Sequence, residues 1–231
     1  MTIGRGTLSD QVVREIIAEI KQRGLQAGDE VPAEGELAER HGVNRLVVRE
    51  AIRTLVARGV LVSSQGKRAR VAVPSPAVLE QILDFRLSQN SMDLHDLLDT
   101  RQVIEGALAR RAAVRVAAGH GSVAEAERAL SAMRDCVGDR EAFIAGDLAF
   151  HQALADLAES NVLSFILAAM NGTLLAARRT SYLGREQRGS SHRATIDAHQ
   201  RILDAVAAGD PEAAAEAMTD HLTETSHDLG L

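Results

Sequence analysis

The sequence predicts a mainly α-helical protein in which three helices and a β-hairpin precede an all-α antiparallel bundle of six to seven helices. Apolar residues recur with helical spacing over most of the 231 residues. The spacing changes to simple alternation only after Gly59, where a hairpin is expected. The composition changes at Pro74-Ser75-Pro76, so we place domains at 1–73 and 77–231 with a linker at 74–76.

Composition narrows the class of protein. Apolar residues make up 45% of the chain, and no run approaches the ~18 apolar residues of a membrane span. The first residues lack the apolar segment of a signal peptide. The single cysteine, Cys136, excludes an intrachain disulfide framework. We therefore expect a soluble cytoplasmic protein that does not contact a membrane.

The N-terminal domain has the pattern of a winged helix-turn-helix. Helices are expected over residues 7–24, 32–42 and 44–58, each ended by a glycine or started by a capping residue. Strands are expected over 60–64 and 68–73, joined by a turn at Gln65-Gly66-Lys67. Three helices with a short second turn and a following hairpin are typical of this DNA-binding fold.

The third helix carries arginines spaced so that they share one edge. Arg45, Arg49 and Arg53 stand at i, i+4 and i+8. On its own such a helix is usually an ordinary solvated surface helix, but the hairpin beside it is also basic. A basic patch within a chain of net charge −6 favours binding to double-stranded DNA. The candidate DNA-binding residues are Arg45, Arg49, Arg53, Gln65, Gly66, Lys67 and Arg68.

The second domain shows helical periodicity only. The expected helices span about 77–89, 93–118, 122–137, 140–158, 161–182, 190–208 and 211–228. Glycine-containing breaks separate most of them, and 155 residues of this kind can bury a substantial core.

Four polar residues occupy positions where the helical period calls for apolar ones. They are Asp147, His151, His199 and His221, from three of the expected helices. An unpaired buried carboxylate is strongly disfavoured, so these side chains are expected to satisfy one another. Imidazole and carboxylate suit a divalent metal, Zn²⁺ first and Ni²⁺, Fe²⁺ or Mn²⁺ as other candidates. The alternative is a set of separate hydrogen bonds.

Arg101 also points inward, with Glu105 one turn later. Four protein ligands leave open positions on a five- or six-coordinate metal, and a carboxylate ligand could fill them. A buried arginine could bind that carboxylate through two parallel hydrogen bonds. We therefore predict Arg101 and Glu105 as effector-binding residues. The alternative for Arg101 is a structural ion pair with Glu105 or another acid.

Several segments, in order along nearly the whole chain, resemble the GntR superfamily of bacterial transcription regulators. The resemblance is to the FadR-like branch with an all-helical FCD effector domain. The N-terminal segments are GLQAGDEVPAEGELA (24–38), GVNRLVVREAIRTL (42–55) and GVLV (59–62). The C-terminal segments are DLLDTRQVIE (96–105), DLAFH (147–151), HQRIL (199–203) and MTDHL (218–222).

The resemblance implies roles for particular residues. Arg45 and Arg49 match positions that contact operator DNA, and Gly66 matches a wing tip placed in the minor groove. Asp147 and the three histidines match the ligands of the metal-binding FCD group. Arg101 matches an arginine that meets the effector's carboxylate. The resemblance also implies a homodimer, a palindromic operator and an organic-acid or sugar-acid effector.

Three departures from the family pattern concern the DNA contacts. Gly35 stands where many members carry a basic residue. Leu46-Val47 replaces a frequent threonine-containing pair, and Lys67-Arg68 follows Gly66 where a second glycine is common. The operator is therefore expected to differ from the commonest family sequence.

We expect a transcription regulator, more specifically a repressor, whose DNA binding responds to a small carboxylate at the metal. Two alternatives use the same cluster. One is a metal-dependent enzyme with Glu105 as general base, and the other is a direct metal sensor.

Overall fold

The computed structural model describes residues 7–64, 67–187 and 192–229. The chain divides into two compact units, Met1–Val78 and Leu79–Leu231. The dividing point lies within a helix that begins at Pro76, close to the linker predicted at 74–76. The predicted fold class, a winged helix-turn-helix followed by a helical domain, is confirmed.

The first unit contains three helices and a two-stranded antiparallel sheet. The elements are α1 (Leu8–Gln22), α2 (Glu34–His41), α3 (Arg45–Ala57), β1 (Leu61–Val62) and β2 (Arg70–Val71). Asn44 caps α3, because its side chain accepts a hydrogen bond from the Val47 N–H at 3.0 Å. Gly42 ends α2 with φ 63°, a left-handed conformation that glycine adopts without steric cost. The short turn between α2 and α3 therefore follows directly from the sequence.

The two strands are shorter than predicted. Strands were expected over 60–64 and 68–73, whereas each has two residues, with Leu61 opposite Val71. The other edge of β2 pairs with a segment far away in sequence. The Val71 N–H donates to the Asp29 carbonyl at 2.8 Å, and the Val31 N–H donates to the Ala69 carbonyl at 2.9 Å. Alternation within the hairpin sequence does not indicate this distant pairing.

The second unit is a bundle of helices. The first of these helices, α4, begins in the last residues of the first unit. These helices are α4 (Pro76–Ser88), α5 (Leu94–Ala117), α6 (Ala124–Asp135), α7 (Arg140–Leu157), α8 (Asn161–Thr173), α9 (Leu175–Gln187), α10 (His192–Ala207) and α11 (Pro211–Asp228). Fully buried alanines on α5 let its neighbours approach closely, and Phe150, Leu108 and Leu154 fill the core.

One helix predicted from the sequence is divided into two helices in the structure. The segment 161–182 breaks at Leu174, and α8 and α9 meet at a bend of 63°. The described residues therefore form eight helices from Pro76 onward rather than the six or seven expected. Asn171-Gly172-Thr173, just before the break, are weak helix formers. The break also gives α9 its own direction, so that its polar face can turn inward.

No single helix in the described ranges is long and apolar enough to cross a membrane. Among the described residues, only the bent pair of helices α8 and α9, taken together, has the length and composition of a possible membrane span.

Candidate functional site

Three helices bring the four predicted metal ligands to one point in the bundle. Asp147 and His151 lie one turn apart on α7, His199 lies on α10 and His221 on α11. One ligand atom from each residue lies within 4.8 Å of the others. The three histidines are at least 96% buried, since their exposed fractions are 1%, 0% and 4%. The convergence that was predicted from the helical period is therefore present.

Neighbouring groups orient the imidazole rings. His199 Nδ1 lies 2.8 Å from the Thr195 carbonyl oxygen, which can only accept a hydrogen bond. Its Nδ1 therefore carries a proton, and its Nε2 lies 3.1 Å from Asp147 Oδ1. His151 directs Nδ1 to the Glu105 carboxylate and Nε2 towards Asp147 Oδ1 at 3.7 Å. A ring held through one nitrogen presents the other to a metal.

Burial and mutual charges shift the pKa values within the cluster in different directions. Burial, followed by the charges of His199 and His151, holds the pKa of His221 well below its ordinary value. Burial alone would raise the pKa of Asp147, but His151 and His199 bring it well below the ordinary range. The site therefore offers an ionised carboxylate beside the neutral imidazole of His221. Burial would lower the pKa of His151, but the charges of Glu105 and Asp147 raise it, so a metal that binds His151 must displace its second proton.

The cluster fits a divalent metal. Buried His199 Nε2 has no hydrogen-bond partner, although it lies against a carboxylate oxygen. Two lone pairs that face each other in a dry interior are costly unless a proton or a cation lies between them. Three nitrogens and one oxygen are a donor set that Zn²⁺ and its neighbours accept.

Arg101 and Glu105 form a buried ion pair behind the cluster. Their exposed fractions are 2% and 1%, and the Arg101 Nε contacts Glu105 Oε1. Burial would raise the pKa of Glu105, but the charges of Arg101 and His151 lower it to about 2. The ion pair that the sequence left as an alternative is thus present. Arg101 nevertheless lines a cavity beside the cluster, whereas Glu105 lies outside that lining.

The cavity contains about 480 Å³ of space, counting its open mouth. Asp147 and His221 reach it from the cluster, and Arg101 lies in the same wall. The helix α9 supplies Arg178, Ser181, Tyr182 and Arg185 to the lining. This cavity is the space in which a small ligand could reach both the cluster and Arg101.

Sequence reasoning missed buried polar residues of this cavity, namely Arg178, Tyr182, Arg185 and His192. Arg178 donates from Nε to Asp147 Oδ2 at 3.2 Å, and burial, followed by the charge of Arg101, lowers its pKa to about 10. His192 is 7% exposed and stacks on Tyr182 with ring centroids 3.8 Å apart. The i, i+3, i+4, i+7 spacing of residues 178, 181, 182 and 185 was the pattern from which a shared helix face could have been predicted.

In the first unit, the predicted DNA-binding residues lie on α3 and beside β2. Arg49, Arg53, Lys67 and Arg68 line one groove. Gln65 and Gly66, predicted at the wing tip, lie outside the described residues. All the described candidates are exposed on the surface, as contact with DNA requires.

Acidic residues of α2 hold two of these arginines. Arg49 Nη2 lies 2.8 Å from Glu34 Oε2, and Arg68 Nη2 lies 3.4 Å from Glu36 Oε1. Arg53 pairs with Glu50 on its own helix at 3.0 Å. These half-exposed ion pairs contribute little stability, so their main effect is to orient the guanidinium groups.

Arg45 lies across Gly35, the position where a basic residue is common in the family pattern. A Cβ atom at Gly35 would lie 3.1 Å from Arg45 Nη2. Leu46, the next departure, is 65% exposed at the start of α3. Both departures are therefore on the surface that carries the predicted DNA contacts.

Two family models match the chain. Residues 8–71 match "Bacterial regulatory proteins, gntR family", and residues 96–224 match "FCD domain". Together they include every described residue discussed above as a candidate for binding DNA or metal.

Curated relatives cover nearly the whole chain. The HTH-type transcriptional regulator LutR of Bacillus subtilis (strain 168) is 32% identical over 88% of this chain and 93% of its own length. The putative L-lactate dehydrogenase operon regulatory protein of Escherichia coli (strain K12) is 30% identical, covering 94% and 84%. The HTH-type transcriptional repressor NanR of Enterobacter sp. (strain 638) is 29% identical, covering 97% and 86%.

A solved structure has the same fold. The Streptococcus agalactiae GntR structure superposes with a TM-score of 0.69 at 24% identity, covering 95% of this chain and 99% of that one.

Proposed function

The chain belongs to the gntR family of bacterial regulatory proteins and carries an FCD domain, and from this premise we propose an effector-controlled repressor. Its first unit binds operator DNA, and its second binds a small carboxylate at a divalent metal. The metal-dependent enzyme left open by the sequence is set aside, because the matched relatives are transcription regulators.

One observation carries the metal-dependent part of the proposal. Asp147, His151, His199 and His221 converge within 4.8 Å, and His199 Nε2 lacks a hydrogen-bond partner. Zn²⁺ is the first candidate for this site, and Ni²⁺, Fe²⁺ and Mn²⁺ are the others. A bound ion would supply a Lewis acid for an oxygen of the effector.

The protein groups around the cluster hold and orient its imidazole rings and the side chain of Arg101. The Thr195 carbonyl and the Glu105 carboxylate fix the rings of His199 and His151. Glu105 also holds Arg101, whose guanidinium reaches the cavity and can donate to an effector carboxylate. Glu105, which the sequence assigned to the effector itself, acts in this proposal through Arg101 and His151.

Arg45 and Arg49 are proposed to read bases from α3 in the major groove, with Arg53 on a phosphate. Gln65, Gly66, Lys67 and Arg68 are proposed to form the wing contact. Glu34 supports this assignment for Arg49, because its carboxylate fixes the guanidinium from the side of α2. A homodimer in the cytoplasm, bound to a palindromic operator, completes the proposal.

The effector is proposed to be a small organic acid or sugar acid. The buried arginines of the cavity support an anion, and a relative is named for an L-lactate dehydrogenase operon. The effector must bind the DNA-bound and DNA-free conformations with different affinity, because equal affinity shifts no equilibrium.

The proposal is tested on the purified full chain. Elemental analysis should find about one divalent metal ion per chain. A duplex selected from a random library should bind in fluorescence anisotropy, and an organic acid should release it. Failure to select any sequence would contradict the DNA-binding role, and metal-free protein that cannot be reloaded would contradict the site.

Adding a chelator distinguishes the proposed carboxylate-responsive repressor from the remaining alternative, a direct metal sensor. If the metal ion itself is the signal, a chelator changes operator affinity with no organic acid present. The proposed carboxylate response instead requires both the metal and the acid.

A further inference from the structure

A large apolar side chain is exposed at the start of the proposed recognition helix. Leu46 follows the first residue of α3 and is 65% exposed. The next two residues face the protein instead, since Val47 is half-buried against the core of the first unit and Val48 is fully buried. Of the pair Leu46-Val47, which departs from the family pattern, Leu46 is therefore the member that faces solvent.

Leu46 lies on the side of α3 opposite the core. The buried residues of this helix are Val48, Ala51, Ile52 and Leu55. At about 3.6 residues per turn, Leu46 points away from the mean direction of these side chains. Arg49, Glu50 and Arg53 follow it at i+3, i+4 and i+7, so they share its face. Leu46 is thus at the centre of the outward face of the helix.

Charged side chains surround Leu46 on this face. Arg49 pairs with Glu34 at 2.8 Å and is 51% exposed, and Arg53 pairs with Glu50 at 3.0 Å and is 68% exposed. An exposed leucine by itself is normal on a protein surface. This leucine lies among guanidinium groups that attract the phosphates of DNA, so a duplex bound to this face would withdraw it from water.

The edges of the bases in the major groove differ in how well they match a leucine. Leucine has no hydrogen-bonding group, so the polar edge of a purine, or the amino group of cytosine, would lose water against it without gaining a partner. Thymine instead presents a C5-methyl group in the major groove. Contact between this methyl group and a leucine removes apolar surface of both from water, which is favourable.

We propose that Leu46 packs against the C5-methyl group of a thymine in each operator half-site and so determines part of the base preference of this protein. The inference rests on the DNA-binding part of the proposed function. Side chains at i and i+3 of a helix are about 5–6 Å apart, and base pairs rise by about 3.4 Å. The thymine therefore lies within about two base pairs of the pair that Arg49 contacts.

Removal of single methyl groups from the DNA tests this contact. The full chain is titrated by fluorescence anisotropy with the duplex selected from the random library, and each thymine of one half-site is replaced in turn by uracil. Uracil keeps the hydrogen-bonding groups of thymine and lacks the C5-methyl group alone. At one thymine the dissociation constant should rise about three- to fivefold, the expected effect of one methyl group withdrawn from water.

Variants connect that thymine to Leu46. In Leu46→Ala the effect of uracil at this position should disappear, because the apolar partner of the methyl group is absent. Leu46→Met keeps a long apolar side chain and should retain the effect. Leu8→Ala is the matched control and should also retain it, since Leu8 is a 53% exposed leucine on another helix of the same unit.

The dependence of affinity on salt concentration gives a second measurement. Leu46→Ala should leave the slope of affinity against salt unchanged, because the substitution removes no contact with a phosphate. Circular dichroism is measured on each variant to confirm its fold. A slope that falls in Leu46→Ala would contradict a purely apolar contact with a base.

The remaining outcomes also decide the proposal. If uracil has no effect at any thymine, or the same effect in Leu46→Ala as in the original chain, the contact is overturned. A selected half-site with no thymine within about two base pairs of the position at which Arg49→Ala relaxes the preference would overturn it as well. If no duplex can be selected, the DNA-binding role fails together with this inference, whereas a selected duplex with a uniform response to uracil overturns the role of Leu46 alone.

Discussion

The Nδ1 atom of His199 lies 2.8 Å from the main-chain carbonyl oxygen of Thr195, one turn earlier on α10. The hydrogen bond between them fixes the orientation of the ring, so that Nε2 faces Asp147 Oδ1 at 3.1 Å. The main-chain carbonyl of Thr195 thereby holds the His199 ring in one orientation without a bound ligand.

His199→Ala combined with His221→Ala should remove bound metal. Two of four donors are lost, and the remaining Asp147 and His151 cannot hold an ion in a chelator-containing buffer. Elemental analysis after dialysis measures the result. The control pair is His95→Ala with His120→Ala, two exposed histidines of the same unit. Equal metal in both double variants would rule out the site.

Glu105→Gln should weaken metal affinity by about 10- to 100-fold without removing a ligand. The amide no longer carries the charge that faces Arg101 and the His151 Nδ1. Competition with a chromophoric chelator measures the affinity. Asp99→Asn, on the exposed face of the same helix, is the control. An unchanged dissociation constant would show that Glu105 does not support the site.

Arg49→Ala should cost about 1–3 kcal/mol of specific operator binding. The expected loss comes from a base contact that alanine cannot make. Gel-shift titration at fixed salt gives the dissociation constant. Arg128→Ala, an exposed arginine on α6 in the second unit, should leave it unchanged. If the two variants bind alike, the assignment of α3 as the recognition helix fails.

Glu34→Gln should raise non-specific DNA affinity while lowering the ratio of specific to non-specific binding. The substitution removes a negative charge beside the DNA-binding groove and frees the guanidinium that the carboxylate holds at 2.8 Å. Anisotropy titrations on the selected operator and on a scrambled duplex give the ratio. A rise in specific affinity alone would contradict the orienting role of Glu34.

The sequence was sufficient to predict those features that depend on one helix at a time. The period of α7 placed Asp147 and His151 on an inward face, and those of α10 and α11 did the same for His199 and His221. The expected start of the first helix at residue 7 is also close to the observed one, because Thr7 and Asp10 form a capping box at the start of α1. Each of these features depends on residues within a single helix, so the spacing of residue types in the sequence is enough to predict it.

Features that depend on distant segments were not predicted. The bend at Leu174, which divides the helix expected over 161–182 into α8 and α9, was not predicted. The pairing of β2 with the backbone of Asp29 and Val31, about forty residues earlier, was also not predicted, because it joins segments far apart in sequence.

Gly35 links two positions of the DNA-binding surface through a steric relationship. A methyl group there would reach the guanidinium of Arg45, whose Nη2 lies 3.1 Å from the place of the added Cβ. Arg45 would then have to shift by a few tenths of an ångström. In the proposed complex with DNA, residue 35 would therefore act on operator preference through Arg45, without contacting a base itself.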